Sequence, residues 1–93
     1  MSERRTILEP EFVTLMPETL VDGKLYISRE YGTAIHNCCC GCGNKTVTPT
    51  SGHEAWKLTV LDGTVSLTPS IGNWQFQCRS HYWIRSNKII WCD

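Results

Sequence analysis

His36-Asn37-Cys38-Cys39-Cys40-Gly41-Cys42-Gly43, answered after 34 intervening residues by Cys78-Arg79-Ser80-His81, decides the architecture of this chain. Thiols and imidazoles gathered at two turns are the donor set of a tetrahedral metal site, which proteins usually assemble from two local pairs. Glycines let each turn curl so that backbone amides face the sulfurs, and Gly41 and Gly43 suit that role. Cys78 and His81 form a C-x-x-H pair. The first pair is open on spacing alone. Cys39 with Cys42 makes C-x-x-C, Cys40 with Cys42 makes C-x-C, and Cys38 is within reach. His36 is read as supporting the site from behind its ligands, and Cys92 as a plain thiol.

Both turns are flanked by strand signals. Leu25 and Ile27 alternate with polar neighbours over 24–29, 33–37 is extended, and 45–48 is rich in β-branched residues. The clearest local signal is WKLTVLDGTVSLT, residues 56–68. Asp62-Gly63 is a favoured two-residue hairpin turn because both residues tolerate positive φ. Folding there pairs Val60 with Val65 and Leu58 with Leu67 on one face. A second hairpin is expected over 82–91, turning at Ser86-Asn87, with Tyr82, Ile84, Ile89 and Trp91 on one face. Residues 69–73 are expected as a loop and 74–77 as a short strand entering Cys78. The expected fold is a small all-β, zinc-ribbon-like domain, with antiparallel hairpins around one structural zinc. Residues 1–11 are expected to form a flexible arm, and residues 12–93 a single zinc-binding β domain.

Size and composition point the same way. A 93-residue chain buries a modest core, and domains of this size often need a metal, a disulfide or a partner. The first ten residues, MSERRTILEP, lack the apolar run of a secretory signal, and no window approaches the roughly 20 apolar residues that cross a bilayer. A cytoplasmic location follows as an expectation. Thiols stay reduced there, so clustered cysteines favour metal over disulfides. The net charge is zero, with nine basic and nine acidic residues, which removes the strong electrostatic term of nucleic-acid binding.

Two zinc-enzyme motifs are absent. His53-Glu54 lacks the second histidine of H-E-x-x-H, and the deaminase signature is missing. A closed set of four ligands marks a structural site, whereas catalytic zinc keeps a position for water. No catalytic residue is assigned, and a non-enzymatic interaction module is the leading reading. Trp74, Arg79 and Trp83 near the second turn are candidate partner contacts, because aromatics and arginine anchor interfaces. The alternatives are a zinc-ribbon nucleic-acid binder, with tryptophans stacking on bases, and a ligase-like or thiol-transfer factor using a free cysteine.

Tyr31-Gly32-Thr33-Ala34-Ile35-His36, the C-G-C-G of 40–43, the P-S-I-G-N-W of 69–74 and the C-R-S-H-Y-W-I of 78–84 together carry a resemblance. Over residues 12–91 the chain resembles a bacterial domain-of-unknown-function family (number six-five-two-seven). Its members are presumed to bind zinc, and some are encoded beside ubiquitin-like modifiers, activating and conjugating enzyme homologues and JAB-type peptidases, in loci linked to antiphage defence. The resemblance implies an accessory role in ubiquitin-like conjugation, with a modifier or conjugating-enzyme homologue as partner. Its first motif, H-x-C-x-C-G-C-G, implies Cys40 and Cys42 as ligands with Cys78 and His81, leaving Cys38 and Cys39 as alternates. Cys39 and Cys92 fall outside that pattern.

Overall fold

The structure is a computed structural model that describes residues 4–92. Among them there is no helix, and eight strands form two four-stranded sheets. The first holds β1 (Glu9–Phe12), β2 (Lys24–Ser28), β3 (Thr33–Asn37) and β4 (Lys45–Pro49) in that order. The second holds β5 (Lys57–Leu61), β6 (Thr64–Gly72), β7 (His81–Arg85) and β8 (Lys88–Trp91). All neighbours are antiparallel except β1 and β2.

The two expected hairpins form in the expected register. Val60 lies opposite Val65 and Leu58 opposite Leu67, and the turn has φ 50° at Asp62 and 78° at Gly63. Tyr82 lies opposite Trp91 and Ile84 opposite Ile89, with φ 48° at Ser86 and 68° at Asn87. Positive φ at both central residues matches the twist of the flanking strands. Alternation then decides which side faces inward. Val65, Leu67, Ile71, Tyr82, Ile84 and Ile89 of the second sheet join Leu25, Ile27 and Ala34 of the first in one apolar cluster.

Residues 69–77 differ from expectation. Pro69 to Gly72 continue β6 instead of forming a loop. The ladder to β7 shifts register between Leu67 and Ile71, and an irregularity of this kind is where a proline's missing N–H does least harm. Residues 74–77, expected as a strand, form turns. The Phe76 N–H donates to the Asn73 carbonyl and the Arg79 N–H to the Phe76 carbonyl, both at 3.1 Å. Local bonds of this type satisfy the backbone without a neighbouring strand.

Part of the segment expected as a loose arm is built into the fold. Leu8 is 1% exposed and belongs to the core cluster. The Leu8 N–H donates to the Asn87 carbonyl and the Ile89 N–H to the Thr6 carbonyl, each at 2.8 Å. Glu9–Phe12 then pairs with β2. One segment therefore bonds to the edge of each sheet in turn. Replacing Leu8 by Ala should destabilise the chain by about 2–5 kcal/mol, as for other fully buried leucines, read as a lower urea midpoint; a segment outside the core would leave the midpoint unchanged.

Candidate metal centre and its neighbouring serine–histidine pair

Two loops supply the chemistry. Residues 38–44 join β3 to β4, and residues 73–80 join β6 to β7. In the first, the Cys38 N–H donates to the Asn44 carbonyl at 2.8 Å and the Gly41 N–H to the Cys38 carbonyl at 3.1 Å. Gly41 and Gly43 sit at φ 87° and 86°, a backbone region that side chains disfavour. This tight winding turns alternate cysteines the same way. The sulfurs of Cys38, Cys40, Cys42 and Cys78 all lie within 4.8 Å of one another. Cys38 Sγ is 3.5 Å from Cys40 Sγ and 3.8 Å from Cys78 Sγ.

Four thiols so placed can hold a metal ion. Donors already face them. Asn44 Nδ2 reaches Cys42 Sγ at 3.3 Å, the Ser80 hydroxyl reaches Cys78 Sγ at 3.2 Å, and Asn73 Nδ2 reaches Cys38 Sγ at 3.6 Å. Burial pushes the Cys38 thiol up to about 12, against hydrogen bonds from Ser80 and the Cys40 backbone that favour its anion. For Cys78 burial also pushes upward, but bonds from Ser80 and from the Cys40 and Cys42 thiols prevail and bring it down to about 6.

The structure thus brings Cys40, Cys42 and Cys78 together with Cys38, one of the alternates, and places His81 elsewhere. His81 Nε2 is 2.7 Å from Ser70 Oγ. Cys39, the other alternate, is fully buried in the core, where burial raises its thiol to about 11. His36 is also fully buried. Its Nε2 lies 2.7 Å from the Tyr82 hydroxyl, which Asn73 Nδ2 also reaches at 3.4 Å. His36 is therefore linked to the cluster through Tyr82 and Asn73, with its Nδ1 unpartnered. Burial lowers the His36 ring to about 4.

The Ser70–His81 pair lies on the face of the second sheet turned away from the core. Ile71 and Tyr82, opposite each other in the ladder, are buried, so their neighbours Ser70 and His81 point outward. Trp56 Nε1 donates to the Ser70 carbonyl at 3.3 Å. Trp74, 57% exposed, stands against His81 with ring centroids 5.0 Å apart. Its indole lies over Gly72, where an added Cβ would come within 2.4 Å of Nε1. Of the other candidate contacts, Arg79 is exposed on the same loop, and Trp83 is half-buried beneath the Arg85 guanidinium at 4.5 Å. Sequence reasoning missed the Ser70–His81 pair because it gave His81 to the metal; the signal available was Ser70 and His81 lying in two of the motifs that carry the family resemblance.

An all-β chain with a four-cysteine cluster beside an outward-facing serine–histidine pair is the class of protein that fold and site define. Over residues 12–92 it matches the family described as "bacterial ubiquitination-like system serine protease (BubE)". The chain belongs to that family, which associates it with a bacterial ubiquitination-like system. No curated protein and no solved structure matches it. No helix among the described residues is long and apolar enough to cross a membrane.

Two predictions follow from this geometry. Cys38→Ser should lower metal content, measured by mass spectrometry of the purified protein, whereas His81→Ala should retain it. The second concerns His36, whose ring is held neutral at about 4 when folded against 6.5 when free. Between those values the unfolded chain binds the extra proton, so stability is complete above pH 6.5 and declines as pH falls toward 4. The loss is of order 3 kcal/mol, and the urea midpoint of His36→Gln should fall less steeply over that range than that of the native chain.

Proposed function

We propose that this chain is a serine peptidase acting on ubiquitin-like modifiers or their conjugates, with Ser70 as nucleophile, His81 as general base and a zinc ion held by Cys38, Cys40, Cys42 and Cys78. The observation that carries the reading is the 2.7 Å separation of Ser70 Oγ and His81 Nε2. That is the hydrogen-bond distance required between nucleophile and base. The family's description supports the same chemistry.

In the proposed reaction the Ser70 hydroxyl passes its proton to His81 Nε2 while Oγ bonds to the substrate carbonyl carbon. The tetrahedral intermediate collapses as His81 returns that proton to the departing amine, leaving an acyl ester on Ser70. A water then gives its proton to His81 and attacks the ester, releasing the acid and restoring the hydroxyl. Trp74 packs against the His81 ring and limits its rotation. Among the described residues no carboxylate bonds the other ring nitrogen, so the arrangement is a dyad.

Zinc fits the cysteine cluster. Metal–sulfur bonds of about 2.3 Å in a tetrahedron give sulfur–sulfur edges of about 3.8 Å, close to the 3.5 and 3.8 Å separations present. Four thiolates close the coordination sphere, so the ion supplies structure and leaves the acyl transfer to Ser70 and His81. Two loops at β-hairpin ends, each offering cysteines, give the site a ribbon-like layout. The outer face bearing Trp74, Arg79 and Trp83 is the proposed contact for the modifier or a conjugating-enzyme homologue, and six free cysteines suit a reducing cytoplasm. A thiol-transfer role fits less well, because Cys38, Cys40, Cys42 and Cys78 are the proposed zinc ligands, and burial raises the Cys39 thiol to about 11 whereas thiolate is the nucleophilic form.

A fluorophosphonate probe should label Ser70, located by peptide mass spectrometry, and the chain should hydrolyse a modifier carrying a C-terminal extension. Ser70→Ala and His81→Ala should each reduce hydrolysis by about a thousandfold or more while keeping the metal. Undiminished cleavage by Ser70→Ala would remove it as nucleophile. Capture of the modifier without cleavage by the native chain would restore the accessory-partner reading.

A further inference from the structure

Asn73 is where the cysteine cluster, the core and the turn carrying Trp74 meet. It is 1% exposed and follows Gly72, whose ladder partner is His81. Its backbone N–H donates to the Ser80 carbonyl at 2.7 Å, and its carbonyl accepts from the Phe76 N–H at 3.1 Å. The first bond joins the two ends of the 73–80 loop one residue before His81. Its side chain is equally committed. Oδ1 accepts from the Thr46 hydroxyl of β4 at 3.2 Å, while Nδ2 donates to the Tyr82 hydroxyl at 3.4 Å and faces Cys38 Sγ at 3.6 Å.

We propose that Asn73 is a positioning residue for the Ser70–His81 pair. Its side-chain amide is clamped between the two sheets and anchors the start of the loop. Its backbone bond to Ser80 anchors the end. Together these set where β7 begins relative to β6, and so hold His81 Nε2 within hydrogen-bond distance of Ser70 Oγ. The catalytic consequence rests on the serine-peptidase reading, but the geometric one does not.

The position calls for an amide. Thr46 needs an acceptor, and Tyr82 and Cys38 need donors, all from a side chain of Asn length. Aspartate offers no donor and would set a negative charge beside the cluster sulfurs. Leucine would leave the buried Thr46 hydroxyl without its acceptor and would take one donor from the Tyr82 hydroxyl. A role confined to stability would leave the His81 ring where it is. A positioning role would move it.

The test uses the full, metal-loaded chain and reads the ¹⁵N resonances of the His81 ring by NMR, with Ser70→Ala supplying the reference for a lost Ser70–His81 hydrogen bond. In Asn73→Ser, folded and retaining its metal, the His81 Nε2 resonance should move most of the way to that reference. Its kcat for modifier cleavage should fall about tenfold to a hundredfold with KM unchanged, the scale of a misplaced catalytic group. If Asn73→Ser does not fold, Thr46→Val removes a single bond to the same amide and should shift the resonance in the same direction by less. A folded variant whose His81 resonance stays at the native value overturns the proposal. A resonance that moves in a chain with no peptidase activity upholds the positioning role and overturns the peptidase reading instead.

Discussion

The gathering of four sulfurs from two separate loops is the constraint on which this small structure depends. Three come from residues 38–42 and the fourth from Cys78, so the cluster ties the β3–β4 end of one sheet to the β6–β7 end of the other. The core cluster consists mostly of aliphatic side chains together with Tyr82, Cys38 and Cys39, a modest apolar content for a chain of this length. A metal bound there would hold ends that a long connection otherwise leaves free to separate, and the chain entropy of that closure is the quantity it offsets. Arg5 to Phe12 acts on the open edges. It bonds to the β8 hairpin and then to β2, so the sheets are also joined by backbone.

Strand alternation explains how a chain so short keeps Ser70 and His81 outside its core. Residue alternation along β6 and β7 gives each strand one buried and one open side. Ile71 and Tyr82 occupy the inner side together with His36. Ser70, Gly72 and His81 are left on the outer side, where Trp74 covers Gly72 and stands against the imidazole. Inner and outer groups meet through the backbone of residues 72–82, because the same few residues carry Asn73 inward and Trp74 outward. Packing of the core therefore sets the geometry of the surface pair.

Much of this was legible in the sequence where local chemistry is decisive. Asp62-Gly63 and Ser86-Asn87 accept positive φ, so both hairpins and their registers could be read from neighbouring residues alone. The cysteine-rich loops and their glycines marked a place where thiols gather for the same reason. Legibility ended where tertiary partners decide. Trp74 to Gln77 has the composition of a strand, yet Asn73 and Phe76 carbonyls satisfy its backbone as turns. Leu8 stands beside an exposed Ile7 in a short, largely polar segment, and nothing local announces which of the two completes the core. Ser70 carries no spacing signature, since its partner arrives across a β ladder.

His81 shows why motif spacing misleads at such a site. C-x-x-H fits metal ligation, and the same three-residue step also carries the chain from the cluster at Cys78 to the first residue of β7. Three cysteines at alternate positions, Cys38, Cys40 and Cys42, already deliver three sulfurs from one loop, so a tetrahedron needs one more ligand. Cys78 supplies it. A metal bound there would find its fourth ligand without an imidazole, and the histidine three residues on has Nε2 at hydrogen-bond distance from a hydroxyl. A site built from two cysteines and C-x-x-H would consume that nitrogen on the metal, and a nitrogen lone pair given to a metal cannot accept a proton from serine. An all-sulfur ligand set would therefore leave the His81 ring free for the hydrogen bond to Ser70.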